Sequence, residues 1–486
     1  MLWLALELPR LSLEVFRRGI DAAAPTAIST GGNRPAVLLA DAAAAHAGIR
    51  PDMLLSAAYA LLPGLNVLPR DPILELQALE GLALWGEQFT PTLCLAAPAA
   101  LLLEISGSLK LFGGLGALTH LVRTGLEELG FAANLTCAPT PAGALMLARN
   151  ELDTFITELE AMRTRLAQLP VEGLDTDPAT VAALARLGLR SVGEVLRLPR
   201  DGLARRFGRA LVDHLDQAFG HRPDPRAPFV PPPRFSSRLV LPAPVPEMEQ
   251  LLFGLKRLTL EFAGFLAARQ AGVTRFTVAL EHEDHPPTRV RMELSMPSRD
   301  SAHLILLLRE RLSRITLPQP VEAFALVAEE TMQLVPGNFS FFSERGHAVE
   351  DRAALVERLR ARLGREAVHG LILVPEHRPE LAWRESEPGT PQASPPSAPR
   401  PLWLLEAARA LLMDDRGPRL DGPLRIGSGP ERIESGWWDD GDVRRDYFVA
   451  TNPEGARFWV YREHATRGDE SGKTAGVTWF LHGVFA

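Results

Sequence analysis

Cysteine is nearly absent: Cys94 and Cys137 are the only two among 486 residues, each inside an apolar run. That excludes a disulfide framework and fits a reducing compartment. Lysine is almost as scarce, with Lys110, Lys256 and Lys473 the only three, so nearly all of the 52 basic side chains are arginine. With a net charge of −7 the chain has no global basic field, and any contact with nucleic acid has to rest on local arginine patches. No uninterrupted apolar run reaches the roughly 18 residues of a membrane span, so none is expected. The opening MLWLALELPRLSLEVF lacks a basic leader and carries Glu7 and Pro9 within its apolar run, so a signal peptide is not expected and a cytoplasmic location is.

What is present is a globular composition, 46% apolar and 23% charged, over a length that suggests about three or four domains. Residues 2–8 read as a buried strand, with a helix over 12–20 behind it. Residues 35–70 are small and read as helical. An amphipathic helix is predicted over 73–90, a helix over 118–129 and a strand over 132–138. Between them, LLLEISGSLKLFGG (101–114) reads as a buried strand that turns into a glycine-containing bend. Residues 166–227 suggest two to four short helices with turns at Gly173, Gly188 and Gly208. From 184 to 226 nine arginines stand against five carboxylates, a local excess of 9 − 5 = +4. That patch suits either duplex phosphates or a solvated helix surface.

A proline-rich linker (223–233, PDPRAPFVPPP) leads to a βαββαβ order: strand 235–242, helix 246–268, strands 272–282 and 288–296, helix 300–314, strand 320–332. Arg289 and Arg291 alternate on one face of their strand, and Arg234 and Arg238 open another. Beyond 333 come a charged helix (350–363), a strand (369–374), the low-complexity SEPGTPQASPPSAPRP (386–401) and an aromatic-anchored β-rich tail over 417–486. Most of the tail's aromatics are expected to form its core. Two ligand-like patterns carry little: Glu281–His285 lacks the helical His-Glu-x-x-His geometry, and Ser471-Gly472-Lys473-Thr474 lacks the glycine a phosphate loop needs at 467.

LEISGSLKLFG (103–113) resembles, nearly residue for residue, the second half of a motif of the Y-family (translesion) DNA polymerases. The first half of that motif holds metal through an Asp-Glu pair, which here is Ala99-Ala100. Aligning Leu13-Glu14 with the family's closing Val-Glu puts its first metal Asp at Ala5 and its second at Glu7. The Tyr and Arg that grip a triphosphate fall on Ala42 and Ala45, and the lysines that meet phosphate on Pro141 and Leu145. The resemblance implies an α+β, multidomain, Y-family polymerase-like fold. Its parts would be a palm (1–8 and 72–165), fingers (9–71), a thumb (166–227) and a little finger (234–333). A clamp- or partner-binding segment (334–384), a disordered linker (385–401) and a small C-terminal β-rich partner-binding module (402–486) would follow.

The opening segment, LFGG, HRPELAWR, RPLWLL and the tail GPERIESGWWDDGDVRRDY…WFLHGVFA together resemble the ImuB-like family, catalytically degenerate Y-family relatives of the bacterial DNA-damage mutasome. What this implies is a nucleoid-associated, non-enzymatic adaptor in SOS-induced translesion synthesis, without cofactor or metal. It would link the sliding clamp (β subunit), an ImuA-like RecA-type protein and an error-prone DnaE-type polymerase on primer-template DNA. Arg205, Arg206, Arg209, Arg234, Arg238, Arg289 and Arg291 are the expected DNA contacts. For the clamp, Asn338-Phe339-Ser340-Phe341-Phe342, a degenerate Gln-x-x-Leu-Phe peptide, ranks ahead of Gln250–Phe253, inside an amphipathic helix, and Arg400–Leu405. The alternatives are an active translesion polymerase with relocated metal ligands and a scaffold without DNA affinity.

Overall fold

The computed structural model describes residues 1–19, 24–150, 153–328, 330–334, 344–391, 400–439, 441–464 and 478–485, with 344–351 as backbone only. The chain divides into two compact units, Met1–Arg362 and Leu363–Ala486, the boundary falling inside the stretch 334–384.

The first unit contains a four-stranded antiparallel palm-like sheet in the order Leu93–Ala96, Ala100–Glu104, Trp3–Glu7, Asn134–Ala138. Alternation along the strands sends Leu4, Leu6, Leu101, Leu103 and Leu135 to one face, under helices Pro72–Gly86 and Leu115–Leu129. Trp3, Ala5, Ala100, Leu102 and Ala138 take the other face, under helix Pro141–Asn150. With both faces covered, the strands can be apolar at every position, as their sequences are. The first of these helices is set by Pro72 in its opening turn and by Asp71, whose carboxylate accepts from the amides of Ile73 (2.9 Å) and Leu74 (3.1 Å). It ends at Gly86, short of the predicted 90.

The helical reading of 35–70 is corrected. Val37–Ala40, Thr26–Ser29 and Asn66–Pro69 form a three-stranded sheet, and only Ala42–His46 and Leu55–Leu61 are α-helical. A four-residue apolar run such as Val37–Ala40 has too little length for periodicity to tell strand from helix. Its partner, Thr26–Ser29, decides the matter, and that strand pairs in turn with Asn66–Pro69 on its other side. Asp41 then caps the short helix through the amide of Ala44 (2.7 Å) and ties back to the amide of Thr26 (3.0 Å).

The little-finger-like part is an antiparallel sheet in the order Thr288–Ser298, Ala271–Glu281, Val321–Ala328, Phe235–Val245, with Met332–Gln333 added along Ala271–Glu281. Helices Met248–Ala268 and Ser301–Leu312 cover one face. The longer helix also packs on Pro72–Gly86, where a Cβ at Gly264 would lie 2.6 Å from the Trp85 ring, and it passes close to Gly19, whose carbonyl would lie 2.7 Å from a Cβ at Gly254. Glu261 is fully buried at this contact, where Arg18 donates to its Oε1 and Ser237 to its Oε2 (2.7 Å).

Glu14 has Oε1 on the Ala132 amide (3.1 Å), while its Oε2 is buried without a hydrogen-bond partner among the described residues. Burial pushes its pKa from 4.5 up to about 7, against the opposing pull of the Ala132 amide and of Arg10, Arg257 and Arg18. Between those two values the folded chain holds a proton that the unfolded chain has lost, so stability falls as pH rises through the window. Glu14→Gln should therefore match the parent near pH 4 and exceed it by about 1–3 kcal/mol near pH 8, as read from urea midpoints at both pH values.

In the second unit, Gly370–Leu373 and Trp383–Ser386 form a hairpin. A larger sheet runs Trp403–Ala410, Trp479–Val484, Arg457–Glu463, Val443–Thr451, Arg425–Ile426, with Glu431–Ser435 also on Val443–Thr451. Ile433, Tyr447, Trp459 and Tyr461 form one cluster, and Ala450, Phe458, Val460 and Leu481 belong to another. Tyr447 stacks on Trp459 at 4.0 Å, and its hydroxyl lies 2.7 Å from His482 Nδ1. The core expectation therefore holds for Tyr447, Trp459 and Tyr461. It fails for Trp437 and Trp438, which are exposed on a turn.

Candidate nucleic-acid interface

The palm positions come first, because any polymerase chemistry would start there. Ala5 stands opposite Leu102 on one neighbouring strand and Thr136 on the other. Ala5 and Ala100 are 0% exposed, and Ala99 is half-buried. Helix Pro141–Asn150 is fastened over this face by Thr136 Oγ1 donating to the Ala144 carbonyl (2.7 Å) and Asn134 Nδ2 to that of Ala148 (3.2 Å). Pro141 and Leu145, at the positions aligned with phosphate-contacting lysines, are buried in that layer.

Glu7 is the one carboxylate of the aligned set. It accepts from Arg149 Nε at 3.3 Å, and Arg149 also pairs with Asp175. Burial raises the Glu7 pKa against the influence of Arg149. Among the described residues no cluster of three or more His, Cys, Asp or Glu is placed to hold a metal ion. In the fingers-like part, Ala42 and Ala45 lie exposed on their short helix and offer no donor, and His46 is occupied by the Ala42 carbonyl at 3.0 Å.

The thumb-like arginines separate into two groups. Arg200 pairs with Asp216, Arg222 with Asp213 (2.7 Å) and Arg226 with Asp224 (2.8 Å). Arg205, Arg206 and Arg209 are exposed, and among the described residues none of them is held in an ion pair. They gather around Gly208, whose φ of +89° turns helix Arg200–Phe207 into helix Arg209–Ala218. Arg186, Arg190 and Arg197 are exposed as well, so the net excess counted along the sequence is shared between this turn and the helices before it.

The uncovered face of the little-finger-like sheet carries a second group. Arg289 and Arg291 point outward, alternating with buried Val290 and Met292. Across the ladder, Arg289 opposes Ala279, Arg291 opposes Thr277 and Glu293 opposes Arg275. Arg275 therefore shares this face. The sequence reading missed it, although its place two residues before Thr277 in the predicted strand was the available signal. Arg238 belongs to the same face, but its guanidinium is held by Glu281 (2.6 and 3.0 Å), and Arg275 is held by Glu330 (3.0 Å). Arg234 is exposed just ahead of strand Phe235–Val245. Small Ala279, Thr277 and Ala325 form a low middle bordered by long cations, a shape suited to a phosphate ridge.

The preferred clamp peptide, Asn338–Phe342, lies outside the described residues, as does Ser471–Thr474. In Gln250–Phe253, Leu251 is fully buried in the helix core. In the third candidate, Arg400 is held by Glu431 (2.5 and 2.6 Å), and Trp403 begins the strand paired with Trp479–Val484. His282 is a satisfied buried histidine, with ring nitrogens on the Pro320 carbonyl (3.1 Å) and Thr288 Oγ1 (2.9 Å).

No protein-family model matches the chain. Two proteins of Caulobacter vibrioides, each named Protein ImuB, from strains NA1000 / CB15N and ATCC 19089 / CIP 103742 / CB 15, are each 29% identical to it over 461 residues. The match covers 90% of this chain and 100% of theirs. Among solved structures, DinB from Sulfolobus solfataricus is 17% identical with a TM-score of 0.39, and a post-insertion binary complex of Dbh DNA polymerase is 18% identical with a TM-score of 0.39. Each match covers 69% of this chain and 100% of that one. Over nine-tenths of its length, from the first strand to the aromatic tail, the chain is similar to these ImuB proteins.

Proposed function

We propose that this protein is a non-catalytic, Y-family polymerase-like adaptor for damage-induced (SOS) translesion synthesis and mutagenesis. In this reading it rests on primer-template DNA through its arginine surfaces. It brings together the sliding clamp, an ImuA-like RecA-type protein and an error-prone DnaE-type polymerase. The observation that carries the non-catalytic part is the apolar palm face, where Ala5 and Ala100 are buried beneath helix Pro141–Asn150. Phosphoryl transfer relies on metal ions to neutralise developing charge, and on this face the one carboxylate of the aligned set, Glu7, is held by Arg149. The adaptor part is supported by the ImuB relatives and by exposed arginines on two separate surfaces.

The test is primer extension by the purified protein in magnesium and then manganese, beside a working Y-family enzyme. No extension from folded protein that still shifts primer-template DNA is expected, whereas extension that survives purification controls would refute the reading. In a salt titration of the same binding, Arg205→Ala/Arg206→Ala/Arg209→Ala should weaken affinity for all sequences alike. It should also flatten log K against log[salt] by about 0.9 for each phosphate contact removed. Arg289→Ala/Arg291→Ala should do the same if its face touches the duplex. An unchanged slope in both variants would leave the scaffold without DNA affinity as the better description.

A further inference from the structure

Trp437 and Trp438 are 77% and 57% exposed, with rings edge to face at 5.3 Å, on the turn that follows strand Glu431–Ser435. The module's own packing does not call on them, because the clusters around Tyr447 and around Phe458 already bury large side chains. The turn is nonetheless built with care. Arg378, 5% exposed, reaches it from the neighbouring 374–382 segment and donates to both carboxylate oxygens of Asp439 (2.9 and 2.6 Å). It donates as well to Glu376 (2.9 Å) and lies 5.7 Å from the Trp438 ring centre.

Glycine is required on both sides of that guanidinium. A Cβ at Gly436, where φ is +85°, would lie 2.2 Å from the Gly441 carbonyl, and one at Gly441 would lie 2.6 Å from Arg378 Nη1. Two large apolar rings are thus held toward solvent by a buried ionic clasp, an arrangement that spends stability to present them. The other exposed tryptophans, Trp383 and Trp403, stand singly on strands.

We infer that the Trp437–Trp438 turn is a docking knob for a folded protein partner that offers an apolar pocket rimmed by arginine or lysine. The charge around the pair selects that partner. Residues 434–442 (ESGWWDDGD) carry four carboxylates and no cation, and among the described residues Asp439 pairs with Arg378 and Asp442 with Arg444 while Glu434 is in no ion pair. Nucleic-acid phosphate is repelled by such a rim, and a peptide groove of the kind found on clamps takes an extended strand, not a turn. Adjacent tryptophans on a rigid support are the side chains that most often dominate a protein interface.

The inference rests on the adaptor reading and deepens it by naming the surface. The test is a titration of the full-length chain with a purified ImuA-like RecA-type protein and with a purified DnaE-type polymerase. Wild type, Trp437→Ala/Trp438→Ala and Trp437→Phe/Trp438→Phe would be compared, with primer-template DNA binding and thermal unfolding as controls. The alanine variant is expected to lose about thirtyfold or more in affinity for one of the two proteins, with the phenylalanine variant recovering part of it and both controls unchanged. Glu434→Gln should slow association with that same partner at low salt.

Equal affinities for wild type and alanine variant would overturn the docking surface and leave the adaptor reading standing. Wild type that binds neither protein would refute the adaptor reading and the inference together. A variant that instead loses single-stranded DNA binding, or self-association seen by sedimentation, would replace the protein partner with nucleic acid or a second copy and also overturn it.

Discussion

Arg18→Met should destabilise the first unit by about 3–5 kcal/mol, the loss typical of stranding one member of a buried ion pair. Arg18 and Glu261 are 5% and 0% exposed, and they join chain segments 243 residues apart. Without the guanidinium, Glu261 keeps, among the described residues, the Ser237 hydroxyl (2.7 Å) as its hydrogen-bond partner. Water has little room to enter, because a Cβ at Gly81 would already lie 3.0 Å from Glu261 Oε2. Arg18 also lies 4.6 Å from the centre of the Phe131 ring, so methionine would preserve some packing there while removing the charge.

The double variant Arg18→Met/Glu261→Leu should recover most of the loss, since an apolar pair of similar volume avoids desolvating two ions. Denaturant midpoints for the two singles and the double, at unchanged m, measure this directly. A cost below about 1 kcal/mol for Arg18→Met, within the range of exposed pairs, would show that the contact between helix Met248–Ala268 and the palm-like core is open to solvent.

Restoring a polymerase carboxylate by Ala5→Asp should cost about 2–5 kcal/mol and yield no primer extension. The new side chain would point into the layer of Ala100, Leu102, Ala138 and Leu145, where an ionised carboxylate has no cation to meet. It would be held protonated, and the penalty would grow as pH rises above the carboxylate range. Ala99→Asp, at a half-buried position, should be tolerated with less than about 1 kcal/mol lost. Thermal unfolding of both variants, with and without manganese, separates the cases. A manganese-dependent rise in Tm for Ala5→Asp, accompanied by extension, would mean that a latent metal site survives and that the alignment of Ala5 is right but the closure of the site is not.

Local pattern was enough for much of the architecture. Alternating and continuous apolar runs announced strands Trp3–Glu7, Ala100–Glu104 and Thr288–Ser298, and a long apolar helix announced Met248–Ala268, because side-chain periodicity is written within a few neighbouring residues. The alanines at 5, 99 and 100 were likewise legible, since a motif aligns residue by residue.

Three-dimensional pairing decided the rest. Val37–Ala40 became a strand because Thr26–Ser29 lay beside it. Of the arginines expected to contact DNA, Arg238 is held by Glu281, whereas Arg205, Arg206 and Arg209 remain exposed around Gly208. Trp437 and Trp438 are kept out of the core by Arg378, some sixty positions earlier, and Arg18 meets Glu261 across most of the first unit. A sequence records which side chains are charged or apolar. Which charge is neutralised, which ring is covered and which alanine is sealed away depend on distant segments meeting, and only the tertiary structure brings them together.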